Sequence, residues 1–401
     1  MTATPKYDYL LALTVLGLLV FGLVMITSIG VPKSISLSAP GILYPNCSDT
    51  GVDCYLLFKK HLFRLGAGLI ALLFAFKMPI RFWSRTSKIL YMATVILLLV
   101  VVFFGKSFNT IATNWLNIFN TSIQPSEFAK LSLAIYLSYW FSKQGVFVKS
   151  LKDGFAPFIV VSGFVLVPVM MQNDFGNTLV LSMVAGAIYI VAGARIRHLL
   201  IGFLCAILLI AVIVSTVDHV RERFTGYTKI DQSCTEDYCW QSQQANIAVG
   251  SGGFFGKGLT QGVQKSYWLP QASDDFIFAA SAEELGFSRI ILVVLAYFYI
   301  AYRGLLIASR AENQFEKYLA TGITVFIAGQ AFINIAVNLA LMPVTGLTLP
   351  FVSYGGSSLV TSLLGVGILL NISKNSVYAN SSNRRGYRRT YHPQPGRYKR
   401  A

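Results

Sequence analysis

Residues 240–285 read WQSQQANIAVGSGGFFGKGLTQGVQKSYWLPQASDDFIFAASAEEL, a polar, glycine-rich and acidic stretch inside an otherwise strongly apolar chain. The sequence of 401 residues is 54% hydrophobic and only 12% charged, and its mean hydropathy is +0.59. This composition is typical of a polytopic membrane protein and unlike that of a soluble domain. The quoted stretch is therefore predicted to lie outside the bilayer, between groups of membrane helices.

Apolar segments of the length needed to cross a hydrocarbon core of roughly 30 Å recur along the chain. They predict an all-α polytopic membrane protein with about ten transmembrane helices and a large extracytoplasmic loop, about residues 217–285, between the seventh and eighth. The ten predicted spans are Tyr9–Ile29, Tyr55–Phe76, Ile89–Gly105, Ser126–Phe141, Phe155–Met171, Thr178–Ala194, Leu199–Thr216, Gly286–Ala301, Tyr318–Leu341 and Ser357–Ile372.

The distribution of basic residues predicts the orientation, because Lys and Arg near helix ends mark cytoplasmic loops. With both termini inside, the predicted inner loops contain Lys77, Arg81, Arg85, Lys88, Lys143, Lys149, Lys152, Arg195, Arg197, Arg303, Arg310 and Lys317. Residues 1–373 then form the membrane domain, and residues 374–401 form a basic, disordered cytoplasmic tail. That tail has Lys and Arg but no acid, and it is expected to contact anionic lipid in preference to nucleic acid.

The cysteines agree with this orientation. Cys47 and Cys54 fall in the first outer loop, and Cys234 and Cys239 fall in the large outer loop. Thiols outside the cytoplasm commonly pair, so two disulfides are predicted. Metal binding by these four residues is the alternative, and it is less favoured because their spacings are not typical of zinc sites.

Carboxylates are scarce, and a carboxylate near a bilayer needs a partner or a function. Glu127 begins a predicted helix in QPSEFAK, where it could either pair with Lys130 three residues later or face a substrate. Asp174 lies in a short predicted hairpin, where an aspartate can serve turn geometry as well as function. Candidates at the outer ends of spans also include Asp274, Asp275, Glu283 and Glu284.

The glycine cluster of residues 250–258 is flanked by Lys257 and Lys265, so main-chain amides and ammonium groups could approach an anion. It is not a nucleotide P-loop, because no Ser or Thr follows the lysine of GKG. Asp274 and Asp275 precede FIFAASAEELGF, an apolar segment too short to span and predicted to be half-embedded or re-entrant. Partial desolvation there would raise the pKa of a carboxylate and suit it to accept a proton.

Four features together resemble the SEDS family (shape, elongation, division and sporulation) over nearly the whole chain. They are QPSEFAKL at 124–131, SGGFFGKGLTQGVQKSYWLPQASDDFIFAASAEELG at 251–286, QAFINIAVNLALMPVTGLTLPFVSYGGSS at 330–358 and the ten spans. The segment TGLTLPFVSYGGSS is closer to the division members than to the elongation members. The resemblance implies a peptidoglycan glycosyltransferase that polymerises lipid II on the outer face of the cytoplasmic membrane.

The same resemblance places the family's catalytic aspartate, a general base in an inverting transfer, on Asp275. It implies substrate-binding roles for Glu127, Lys130, Asp174, Lys257, Gln264, Lys265, Ser353 and Ser357. The chain departs from the family at Gln271, where Glu is common, at Ser273, where His is common, and at Asp274, which replaces Thr. Two adjacent carboxylates titrate as a coupled pair, so the choice of base between Asp274 and Asp275 stays open in the sequence.

The resemblance also implies partners and a location. These are lipid II with its undecaprenyl-linked glycan chain, a class B penicillin-binding transpeptidase and other membrane proteins of the division machinery, at the septum. A divalent cation, Mg²⁺ or Mn²⁺, is an open expectation with no residues assigned. The alternatives are a lipid II flippase or other transporter, an elongation polymerase and a division scaffold; the position of the acids at the outer face favours an enzyme.

Overall fold

The structure is a computed structural model that describes residues 7–40, 46–105, 114–118, 121–198, 200–202, 204, 215, 237–266 and 268–389. In the first half of the chain, the helices are α1 (Tyr9–Ile29), α2 (Val31–Ser38), α3 (Leu56–Lys77), α4 (Ile80–Phe104), α5 (Pro125–Gln144), α6 (Ala156–Met171) and α7 (Phe175–Val191). A 3₁₀ turn (Gly145–Lys149) and a π turn (Leu151–Phe155) join α5 to α6.

The second half contains α8 (Asp237–Gly252), α9 (Ile277–Leu285), α10 (Phe287–Ser309), α11 (Gln314–Asn338) and α12 (Gly356–Arg389). A short antiparallel hairpin precedes α5. Its strands are β1 (Leu116–Ile118) and β2 (Thr121–Ile123), paired with Leu116 opposite Ile123. The described part of the chain is thus helical apart from this hairpin and the loops.

Helices suited to cross a membrane confirm the polytopic, mostly helical class. Six helical segments in the described residues are long and apolar enough to do so: Tyr9–Ile29, Ile80–Phe104, Leu151–Met171, Phe287–Ser309, Gln314–Asn338 and Gly356–Lys374. The predicted spans in α3, α5 and α7 also coincide with helices, although α3 and α5 carry charged residues and α7 is shorter. Most of Leu199–Thr216 lies outside the described residues, so the total of ten spans stays a prediction.

Helices α11 and α12 form the interior of the bundle, with 83% of each apolar window buried, against 33–39% for the other four. Helix α12 packs along α3, and α11 packs against α5, α7 and α10. Close contact with α3 depends on small residues: a Cβ on Gly367 would lie 2.4 Å from the main-chain oxygen of Leu72. Small residues at helix interfaces allow backbones to approach closely in membranes. The helix continues into the predicted tail, whose residues beyond 389 lie outside the described part.

The outer loop folds onto α9 through its glycines. The main-chain N–H groups of Lys257 and Gly258 donate to the main-chain carbonyl oxygens of Glu283 and Glu284, at 3.0 and 2.9 Å respectively. Gly256 has a φ of +84°, and a Cβ there would lie 2.3 Å from the Glu284 oxygen. The glycine cluster therefore serves a close approach of two main-chain segments. Helix α9 is buried and has 9 residues, which agrees with the prediction that this segment is too short to span.

The first outer loop contains a disulfide between Cys47 and Cys54, as the spacing and orientation predicted. Cys239 is buried in the first turn of α8. Cys239 is itself disulfide-bonded, as predicted. Its predicted partner Cys234 lies outside the described residues, so the pairing of these two residues stays a prediction.

Candidate active site

Asp275 lies in a tight turn that leads into α9. The turn is closed by the N–H groups of Asp274 and Phe276, which donate to the Gln271 carbonyl at 2.9 and 3.3 Å. Gln271 has a φ of +54°, a left-handed conformation that is uncommon for a residue with a side chain. Such a conformation persists only where surrounding contacts hold it. The turn is therefore a fixed element of the site.

Two amides of α11 hold the main chain at Asp275. Asn334 and Asn338 each donate from Nδ2 to the Asp275 carbonyl oxygen, at 2.8 and 2.9 Å. They are four residues apart, so both face the same side of the helix. Because these donors contact the main chain, they position the residue without binding its carboxylate. Within the described residues, no protein group donates a hydrogen bond to that carboxylate. Asp275 is half-buried, and its Oδ2 lies close to Gly346.

The neighbouring Asp274 is bound by a lysine. Its carboxylate forms an ion pair with Lys33 of α2, and the same ammonium donates to Oε1 of Gln271 at 2.8 Å. Lys33 thus connects α2 to both ends of the turn. Asp274 and Asp275 are adjacent in sequence, yet only the first has an ion-pair partner among the described residues.

The electrostatic surroundings raise the pKa of Asp275 to about 7, first through desolvation and then through repulsion by Asp274, with a further contribution from Asp174. Lys33 opposes this shift. Burial also raises the pKa of Asp274, against the attraction of Lys33 and Arg64. A carboxyl group with a pKa near the working pH is well suited to general base catalysis.

Asp174 caps α7 inside a cage of neutral donors. Its Oδ1 accepts from the Asn177 N–H at 3.1 Å, so the turn role considered for Asp174 is present. Its Oδ2 accepts from Asn114 Nδ2 at 2.8 Å, Gln124 Nε2 at 3.1 Å, Ser126 Oγ at 3.1 Å and Asn177 Nδ2 at 2.8 Å. Its influence on the pKa of Asp275 places both acids in one electrostatic environment.

Glu127 and Lys130 form a buried ion pair at the start of α5, with 2.7 Å between Lys130 Nζ and Glu127 Oε2. Lys130 also donates to Gln330 Oε1 of α11 at 2.5 Å and lies 5.1 Å from the ring centre of Phe326. Neither charged side chain has appreciable exposure. The paired interpretation of these residues is therefore realised, and the pair joins α5 to α11 beside Asp174.

Ser353 and Ser357 lie in and after the loop that precedes α12, and each accepts a main-chain hydrogen bond. Ser353 Oγ accepts from Leu349 N–H at 2.8 Å, and Ser357 Oγ accepts from Gln124 N–H at 3.1 Å. In the same loop, the Tyr354 N–H donates to the Ser273 carbonyl at 3.0 Å. This loop thus joins the Asp275 turn to the start of α5.

Three predicted substrate-binding residues make contacts with the end of α9, and their predicted role stays a prediction. Lys257 pairs with Glu283 at 2.7 Å, and Lys265 pairs with Glu284 at 2.6 Å. The Gln264 N–H donates to Glu283 Oε2 at 3.0 Å. These contacts hold residues 257–265 against α9, the helix that follows Asp275.

Sequence reasoning missed Lys33, Arg64, Asn334 and Asn338. Arg64 stands inside a predicted span, where ionisable residues commonly mark function, and its guanidinium lies 4.4 Å from the ring centre of Tyr354. Lys33 lies in a predicted outer loop, where a basic residue near a helix end runs against the usual charge bias. Both signals were present in the sequence.

The described residues contain no group of three or more His, Cys, Asp or Glu side chains that could hold a metal ion. The expectation of Mg²⁺ or Mn²⁺ stays a prediction, and no residue is assigned to it.

The fold and site define a polytopic helical membrane protein with a buried polar network next to the Asp275 carboxylate, which has no partner within the described part of the chain. Comparison with known proteins identifies the family: the one described as "Cell cycle protein", formed by FtsW, RodA and SpoVE proteins, matches residues 9–378. The chain belongs to this family, the SEDS family that its motifs indicated.

Two relatives illustrate the match. The protein named "Probable peptidoglycan glycosyltransferase FtsW" of Trichlorobacter lovleyi is 35% identical over 369 residues, covering 92% of this chain and 93% of that protein. "Stage V sporulation protein E" of Bacillus subtilis is 36% identical over 380 residues, covering 94% of this chain and 100% of that protein.

Solved structures share the fold. A chain from the study "Structural coordination of polymerization and crosslinking by a peptidoglycan synthase complex" superposes with a TM-score of 0.74 at 24% identity, covering 92% of this chain and 98% of that one. The rod shape determining protein RodA of Thermus thermophilus gives a TM-score of 0.65 at 24% identity, with the same coverage.

Proposed function

We propose that this protein is a peptidoglycan glycosyltransferase that polymerises lipid II at the outer face of the cytoplasmic membrane, with Asp275 as the general base. Relatives such as that of Trichlorobacter lovleyi, which bear the name of this activity and align over most of the chain, support the reaction class. The observation that carries the assignment of the base is the contrast within the turn: Lys33 binds Asp274, whereas the Asp275 carboxylate has no hydrogen-bond or ion-pair partner among the described residues.

In the proposed reaction, the 4-hydroxyl oxygen of the acceptor sugar attacks the anomeric carbon of the lipid-linked donor. A new carbon–oxygen bond forms, and the bond to undecaprenyl pyrophosphate breaks with inversion. Asp275 Oδ takes the proton of the hydroxyl, and the leaving group departs as an anion. The pKa of about 7 lets Asp275 accept that proton near neutral pH and release it to solvent afterwards.

The surrounding residues orient the reactants. Asp174, held by its amide cage, acts electrostatically on Asp275. The Glu127–Lys130 pair follows Ser126, which donates to Asp174. Because these groups are already held by protein contacts, they need little rearrangement during reaction, which favours electrostatic preorganisation. Lys257, Gln264 and Lys265 act indirectly, by holding the loop against α9.

The finer biology also belongs to this proposal. A class B penicillin-binding transpeptidase is the expected partner, which the fold shared with a chain of a peptidoglycan synthase complex supports. Action at the septum follows from the resemblance to division members, and both termini are cytoplasmic by the distribution of Lys and Arg. The basic tail then faces anionic lipid on the inner leaflet.

The test is polymerisation of lipid II by the purified full chain in complex with its transpeptidase. Asp275→Asn is expected to lower the rate about 10²- to 10⁴-fold, the range for loss of a general base, while the variant keeps its thermal unfolding temperature within a few degrees. Asp53→Asn, which removes an exposed ion pair with Lys59, is the matched control and should polymerise normally.

Two results would contradict the proposal. An Asp275→Asn enzyme as fast as the unchanged protein would remove Asp275 as the base. A complex that makes no glycan but moves lipid II across vesicle membranes would establish the transporter function instead.

A further inference from the structure

Helix α2 is firmly docked beside the candidate site. Ser34 is buried, and its Oγ accepts from the Leu57 N–H at the start of α3, at 3.1 Å. At the other end of α2, Ser38 Oγ accepts from the Asp53 N–H at 3.0 Å. The Cys47–Cys54 disulfide lies in the connection between these two helices. Lys33, in the first turn of α2, therefore projects from a fixed support.

The Lys33 ammonium contacts two side chains of the Asp275 turn: it pairs with the Asp274 carboxylate and donates to the side-chain oxygen Oε1 of Gln271. Asp274 keeps 16% of its side-chain surface and Lys33 keeps 35%, so this pair is partly screened from water. Gln271 is the residue in the left-handed conformation. The contact thus ties the strained end of the turn and the first aspartate to α2.

The charged groups around the two aspartates come from four directions. Lys33 of α2 and Arg64 of α3 attract the charge on Asp274, and Tyr354 lies beside Arg64. Asp274 and Asp174 repel a charge on Asp275, and Lys33 attracts it. Lys33 is the cation that acts on both aspartates. Without it, two adjacent carboxylates would compete for one proton, as coupled acids do.

We propose that Lys33 is a positioning residue that gives the two neighbouring aspartates different roles, holding Asp274 against α2 as a bound anion and leaving the Asp275 carboxylate for the acceptor hydroxyl. This inference rests on the proposed function, because it assumes that Asp275 is the base. It resolves the choice that the sequence left open between the two acids, and it assigns Lys33, Gln271 and Asp274 to one unit.

The test compares the pH dependence of lipid II polymerisation by the full complex for Lys33→Met, Asp274→Asn and the double variant. Lys33→Met removes an attraction on Asp275 and should move the rising limb of kcat by about one unit to alkaline pH, with a loss of about fivefold at pH 7. Asp274→Asn removes a repulsion and should move the limb to acid pH. The double variant should fall between them, because the two changes act on the same carboxylate in opposite directions.

Lys33→Arg, which keeps the cation, should retain the unchanged profile. Lys59→Met is the matched control, since Lys59 pairs with Asp53 on the surface and should leave both rate and profile as they are. An unmoved limb in Lys33→Met, with its thermal unfolding temperature unchanged or lowered, would overturn the positioning role even if activity fell. If Asp275→Asn is inactive while Lys33→Met matches the unchanged enzyme, the inference is wrong and the proposed function stands.

Discussion

Two pairs of adjacent acids differ in how their charge is compensated: Asp274–Asp275 just before the short helix α9, and Glu283–Glu284 in its last turn. Each glutamate is fully buried and has its own lysine. Each also accepts main-chain N–H groups: Glu283 from Val263 and Gln264, at 3.0 Å each, and Glu284 from Thr260 at 3.1 Å. Of the two aspartates, only Asp274 has an ion-pair partner among the described residues, and that partner is Lys33.

This difference separates structural from chemical carboxylates. A buried charge is tolerated when partners compensate its desolvation, and the glutamates meet that condition completely. Asp275 has no such partner among the described residues, and desolvation together with repulsion by Asp274 raises its pKa. Perturbed groups of this kind cluster at functional sites. Charge alone in the sequence therefore does not distinguish these carboxylates, whereas the number of partners in the fold does.

Breaking the fully compensated pair should have the largest effect on folding. Glu284→Ala leaves Lys265 buried without its carboxylate, removes the acceptor of Ser28 Oγ and removes one of two acceptors of the Thr260 N–H. Loss of one partner of a buried ion pair costs about 3–5 kcal/mol. Thermal unfolding in detergent should show a strongly lowered midpoint. Asp53→Ala is the control, and an equal loss in both variants would mean that burial of the pair contributes nothing.

The Asp274–Asp275 pair, in which Asp275 has no ion-pair partner among the described residues, should instead control the pH dependence of the reaction. Because the pKa of Asp275 is about 7, the base is protonated below that pH and ionised above it. Well below pH 7, the rate of polymerisation should fall about tenfold per pH unit, to roughly one hundredth of its alkaline plateau at pH 5. Initial rates between pH 5 and 9 measure this. A rate constant with pH down to 5 would mean that no carboxyl group with this pKa takes part.

The two lysines that pair with Glu283 and Glu284 should differ in their contribution to stability, and this difference should be smaller than the effect of Glu284→Ala. The Lys265 side chain is 8% exposed and that of Lys257 is 33% exposed, so water can replace the ammonium more readily at Lys257. We expect Lys265→Met to destabilise by about 2–3 kcal/mol and Lys257→Met by about 1 kcal/mol. Both should keep the pH profile of the unchanged enzyme, since neither contacts Asp275; a displaced profile would assign them to the site after all.

The helices were largely predictable from the sequence because hydrophobic periodicity and length are local properties. Tyr9–Ile29 was predicted with the bounds that α1 has, and Phe155–Met171 differs from α6 by one residue. The α9 segment was recognised as too short to span. The Cys47–Cys54 pair was also predicted, since two cysteines seven residues apart outside the cytoplasm have few other uses.

The allocation of charges was less predictable, because it depends on pairings across distant parts of the chain. Lys257 stands between two glycines and Lys265 follows the glycine cluster, a pattern that favours anion binding, but the fold brings these lysines to glutamates 26 and 19 residues away. Lys33 reaches Asp274 across 241 positions. No local signal encodes such contacts, whereas the assignment of Asp275 as the base is a prediction from its motif.

The glycines of the outer loop have a consequence for how variation among homologues should be interpreted. Gly252, Gly256 and Gly286 each place their α-carbon where an added methyl would lie 2.2–2.3 Å from main-chain atoms of the opposite segment. Natural selection would eliminate substitutions at these positions whatever substrate the protein uses. Invariance of these glycines would thus report the apposition of two backbones, and only the tolerance of neighbouring polar side chains to exchange would reveal where the chemistry is constrained.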